Sequence, residues 1–127
     1  MNNLSKLLLF MAAAMAFQAR AEFVEDLTIF ATGEVVEFHI AKGTGSNPWN
    51  KFNEPIKVKV GQTLRFYNDD TIDHFLHTDG SPCPHGSRAF GPGQTYDCVI
   101  SSKHDASLED LYDHNLGPDA QVYVQAD

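Results

Sequence analysis

Downstream of Glu22 the chain is built from short runs in which apolar and polar residues alternate, each closed by Gly, Pro, Asn or Asp. Runs at 34–41 (EVVEFHIA), 56–60 (IKVKV), 63–68 (TLRFYN), 74–78 (HFLHT), 95–101 (TYDCVIS) and 121–125 (QVYVQ) read as strands. In 56–60 the residues Ile56, Val58 and Val60 share one face and Lys57 and Lys59 the other, the pattern of a half-buried strand. Gly61-Gln62 is short enough to make a hairpin of the runs on either side, and Gly91-Pro92-Gly93 turns the chain into a strand starting near Gln94. The segment 107–112 (SLEDLY) fits either one helical turn or a short strand. With no sustained helical period anywhere after Glu22, the pattern predicts an all-β sandwich or barrel.

Residues 1–21 read differently. Lys6 precedes an apolar run, 7–17, that is too short to span a bilayer, and Ala19-Arg20-Ala21 has the form of an export cleavage site. Residues 1–21 are therefore expected to be a signal peptide and 22–127 one small domain in the periplasm or outside the cell. Losing Lys6 and Arg20 takes the basic residues from 9 to 7 against 17 acidic ones. So acidic a chain excludes nucleic acid and anionic membrane as partners; it suits solubility, cations or a basic partner protein, and a monomer is expected.

Chemistry concentrates at 68–86 (NDDTIDHFLHTDGSPCPHG), which holds three of the six histidines and one of the two cysteines. Imidazole, thiol and carboxylate beside Gly and Pro are what a metal site on an inter-strand loop requires. His74 follows an Asn-Asp-Asp turn, and His85 sits on a segment stiffened by Pro82 and Pro84. His77, three residues along a strand from His74, points to the opposite face and joins it on one ion only through a bend. His39 and His104 read as structural or solvated. The cysteines admit two readings. An even count in an exported chain favours a Cys83–Cys98 disulfide closing about fifteen residues, a stabilisation of roughly 3 kcal/mol; alternatively Cys83 is a thiolate ligand and Cys98 a buried thiol on the Tyr96–Cys98–Ile100 face.

The run I-x-V-x-V-G-Q-T-L-x-F-x-N-D-D-x-x-x-H from Ile56 to His74, the GPGQTY turn at 91–96, and Leu-Tyr-Asp-His followed by Val-Tyr-Val at 111–124 resemble the cupredoxins, of which plastocyanin and azurin are examples. The resemblance covers about residues 35–127. It implies a Greek-key β-sandwich with one copper near one end, one His after the Asn-x-Asp strand, and a Cys, a second His and a Met from the loop before the last strand. His74 stands at the first ligand position. Tyr112-Asp113-His114 stands where the family has Tyr-x-Cys, so His114 replaces the thiolate, and no Met follows Met15.

The expected ligands are thus His74, His85 and His114, with His77 and Cys83 as further candidates. Imidazole suits Cu(II), and copper heads the divalent affinity order, which makes copper the first choice and zinc the second. The sequence predicts an exported copper-binding protein that carries, buffers or hands over the ion, with a copper-handling or redox protein as partner. The alternatives are an electron carrier using Cys83, or a binding module with a vestigial site. No nucleophile–base pair or catalytic motif is visible, so no enzymatic activity is expected.

Overall fold

The computed structural model describes residues 33–127; the expected signal peptide and the first residues after it lie outside that range. The described residues contain no helix. They form β1 (Val35–Ile40), β2 (Ile56–Val58), β3 (Thr63–Asn68), β4 (Leu76–His77), β5 (Thr95–Val99), β6 (Tyr112–Asp113), β7 (Gly117–Gln121) and β8 (Val124–Ala126). One sheet runs β1-β3-β5, with β1 parallel and β5 antiparallel to β3. The other face of the sandwich combines the parallel pair β2-β8 with the antiparallel sheet β4-β6-β7; only Val122 and Tyr123 separate β7 from β8, which makes the two continuous.

Alternation explains the layers. In β3 the residues Leu64, Phe66 and Asn68 are buried and Thr63, Arg65 and Tyr67 are not. In β2, Ile56 and Val58 point inward and Lys57 outward. These side chains meet Ile40, Trp49, Leu76, Phe90, Ile100, Leu111, Val122 and Val124 in a single core. Trp49 lies edge-on to Phe66 and to Phe90, at centroid separations of 5.1 and 6.1 Å.

Two expectations need correction. Val60 does not continue the buried face: β2 ends at Val58 and Val60 is exposed. Gly61-Gln62 makes a turn, with Gln62 N donating to Lys59 O (3.0 Å) and Gly61 at φ 98°, but not a hairpin. The turn carries the chain between layers, so β2 pairs with β8 and β3 with β1 and β5. Strand patterning marks which face is buried but leaves the partner open, and here closing two layers over one core decides it. The ambiguous segment 107–112 resolves into a turn, with Leu108 N donating to Asp105 O, followed by β6.

The Cys83–Cys98 disulfide ties the 82–86 loop to β5, with a Cα–Cα distance of 5.5 Å. Of the two readings of the cysteines, the disulfide stands and the thiolate ligand falls, because Sγ of Cys83 is bonded to sulfur. Changing both cysteines to Ser is expected to lower unfolding free energy by about 3 kcal/mol, the chain-entropy value for a loop of this length, seen as a lower urea midpoint.

Candidate metal centre

Strands β4 and β6 pair antiparallel, with Leu76 opposite Asp113 and His77 opposite Tyr112. The pleat therefore turns Leu76 and Asp113 into the core and places His77 and Tyr112 side by side on the outer face. Their rings stack at 4.2 Å with an interplanar angle of 17°. His114 follows directly, at the turn into β7, where its backbone N–H donates to Phe75 O (2.7 Å) and ties the turn to the entry of β4.

The third histidine comes from the loop pinned by the disulfide. Pro82 O accepts the amides of Ser101 and Ser102, Thr78 Oγ1 donates to Cys83 O (2.8 Å), and Gly86 N donates to Leu76 O (2.9 Å). Gly86 packs so closely against β4 that any Cβ there would collide with Leu76 O, so the loop can lie along β4 only with glycine at this position. His85 is thereby carried to the edge of β4 next to His77.

The result is a cluster of three imidazole nitrogens. His85 Nε2 lies 3.0 Å from His77 Nδ1 and 3.2 Å from His114 Nδ1, and the two Nδ1 atoms are 3.4 Å apart. Bonds of about 2.0–2.1 Å to one tetrahedral ion would place ligand nitrogens roughly 3.3–3.4 Å from each other. The spacing therefore matches ligands around a common ion. Ring protons are placed to suit: the Gly86 carbonyl can only accept, so His85 carries its proton on Nδ1 (2.7 Å to Gly86 O) and presents a lone pair on Nε2. Asp79 Oδ1, 3.2 Å from Nε2 of His77, does the same for Nδ1 of that ring. None of the three side chains is buried, so an ion can enter from solvent. Among the described residues these three are the one group of His, Cys, Asp or Glu side chains whose ligand atoms converge in this way.

No protein-family model and no curated protein sequence matches the chain. Solved structures do. A purple cupredoxin from Nitrosopumilus maritimus aligns at a TM-score of 0.54 and 16% identity, over 72% of this chain and 99% of that one. A reduced amicyanin variant aligns at 0.54 and 16% identity, over 79% of this chain and 89% of that one, and a Cu(I) amicyanin variant at 0.50 and 18% with the same coverage. This chain has the cupredoxin fold.

Within that fold the expected first ligand is displaced. His74 is fully buried, its Nδ1 2.6 Å from Asp113 Oδ2 and its Nε2 3.0 Å from Asp70 Oδ2. Both nitrogens donate to carboxylates, which leaves His74 no lone pair for a metal; the ring that converges with His85 and His114 is that of His77, on the opposite face of the same segment. Burial by itself would depress the His74 pKa, but the hydrogen bonds and charges of Asp113 and Asp70 raise it above 6.5. Burial likewise opposes ionisation of Asp70, yet the Gly45 amide, the His74 ring and the amides of Thr71 and Gly43 hold its carboxyl well below the usual range. Asp113 Oδ1 accepts the amides of Asn115 (3.1 Å) and Leu116 (3.3 Å), so the buried triad shapes the turn that presents His114.

The remaining expectations hold a simpler place. His39 stacks on Tyr67 and pairs with Asp69 at the surface, and His104 is buried beside Asp110, its backbone bridged to Ala126; neither is near the cluster. The sequence reading did not single out Asp70, Asp79 and Asp113 for the roles they play. Asp79→Ala is expected to lower metal affinity about tenfold, the lower end of what an outer hydrogen-bond partner of a ligand contributes, since Asp79 is exposed; a chelator-competition titration measures it.

Proposed function

We propose that this cupredoxin-fold protein is an exported copper-binding protein that holds one ion through His77, His85 and His114 and carries, buffers or hands it over. The observation carrying the reading is the convergence of three imidazole nitrogens within 3.0–3.4 Å on a face open to solvent, with the ring proton of His77 and of His85 held on the far nitrogen. Imidazole donors suit copper and zinc, and the divalent affinity order favours copper. No sulfur donor is free among the described residues, both cysteines being joined, which argues against a blue electron-transfer site. The disulfide and the expected signal peptide agree with the periplasm or the cell exterior, where such bonds persist. When bound, copper would supply no more than a cargo held by nitrogen ligands.

Titrating the purified protein with Cu(II) tests the reading. One equivalent is expected to bind with weak d–d absorption and no intense thiolate-to-copper band. Affinity should fall as pH is lowered, since protons compete for the same imidazole lone pairs. An intense charge-transfer band, or no uptake, would contradict it.

A further inference from the structure

The three histidines are not held alike. His77 is gripped on two sides, by the Tyr112 ring at 4.2 Å and by Asp79 at Nε2. His85 is fixed by the Gly86 carbonyl at Nδ1 and by a loop closed through the disulfide. His114 is exposed. Its Nδ1 faces the other two nitrogens and its ring rests against Phe75 at 5.0 Å, but among the described residues no hydrogen bond engages its Nε2. The described residues also place no fourth His, Cys, Asp or Glu donor with the group. Among the described residues three donors therefore converge where copper and zinc commonly take four, and one of the three is held by its backbone and by ring contacts with Phe75, His77 and His85, with no hydrogen bond at its far nitrogen.

From this asymmetry we infer that the protein releases Cu(I) by ordered ligand exchange to an acceptor carrying sulfur donors, with His114 letting go first. The inference rests on the copper-binding reading above. A thioether or thiolate sulfur of the acceptor bonds to the ion at the position for which the described residues supply no His, Cys, Asp or Glu donor. His114 then departs with its own lone pair, and His85 and His77 follow as further sulfurs bind. Each step forms one copper–sulfur bond and breaks one copper–nitrogen bond; no electron moves and the ion stays Cu(I). Soft sulfur ligands select Cu(I) over imidazole, which gives the exchange its direction. His114 is the natural first arm because its ring regains rotamer freedom on release without giving up a hydrogen bond, whereas His77 and His85 are held in their ligating orientation even without the ion.

The Cu(I)-loaded protein, kept anaerobic, provides the test. Rates of copper loss to bicinchoninate, which reports by its colour, are expected to rise in proportion to chelator concentration. In imidazole nitrogen NMR with excess free methionine as the thioether probe, the His114 ring is expected to move to its metal-free shifts while His77 and His85 stay at metal-bound ones. Asp79→Ala, which frees the far nitrogen of His77, should erase that order. A loss rate independent of chelator concentration, or release of all three rings together in the wild type, would overturn the exchange mechanism. Failure of the wild type to take up Cu(I) while it still binds Cu(II) would also overturn the exchange, whereas failure to take up either ion, or uptake that leaves all three ring signals unmoved, would overturn the copper site and the exchange with it.

Discussion

His77→Ala, His85→Ala and His114→Ala should each weaken copper binding by about tenfold to a few hundredfold, since a ligand is worth about 1.4 to 3 kcal/mol and each 1.4 kcal/mol is tenfold. Among the described residues no fourth His, Cys, Asp or Glu converges with these three to take the place of the one removed. His39→Ala serves as the control. Its ring lies at the surface against Tyr67 and Asp69 and should leave affinity unchanged. Competition titration of the four variants on folded protein decides the matter, and a His77→Ala protein that binds like wild type would remove the site from this face.

His74→Ala has a different expected signature. Removing the imidazolium leaves Asp70 and Asp113 buried without their shared cation, a loss of about 3–5 kcal/mol when one member of a buried ion network is deleted. A domain of this size has roughly 5–15 kcal/mol to lose, so the variant sits near the edge of folding. Any folded fraction should still take up copper, because His74 offers the ion nothing. The same triad fixes a pH dependence. His74 titrates higher in the folded protein than its ordinary 6.5, so its stabilisation is fully present below that value and is lost as pH rises through the folded-state value. Asp70 titrates lower than its ordinary 3.8, so its contribution is present above that value and is lost as acid protonates the folded carboxyl. Urea melts should therefore show a plateau from above the carboxylate range to near neutrality and a decline on both sides. In His74→Ala the alkaline decline should disappear. A variant as stable as wild type would mean that the buried ion network contributes little.

The strand faces were legible because the alternation in IKVKV and TLRFYN is a local, two-residue signal, and burial in β2 and β3 follows it residue by residue. The partner of each strand was not, because pairing β2 with β8 joins residues nearly seventy apart through the demands of a shared core. The same divide runs through the site. His77 was placed on the face opposite His74 by the pleat alone, and the structure keeps them apart in that way. What reversed their roles is non-local: Asp113, thirty-nine residues from His74, pairs opposite Leu76 and so reaches inward to the ring. A position that the family resemblance implied for a metal ligand is thus filled by an ion pair, and the converging imidazole nitrogens of His77, His85 and His114 gather on the outer side of β4. Asp113 was the residue that held this information, since within β6 it alternates with the outward Tyr112 and so faces the core.

Copper-edge X-ray absorption of the loaded protein tests the central claim most directly. If His77, His85 and His114 hold the ion, the first shell contains nitrogen or oxygen at about 2.0–2.1 Å, with the outer-ring scattering of imidazole and no sulfur. A sulfur shell near 2.3 Å, or a first shell without imidazole, would contradict it.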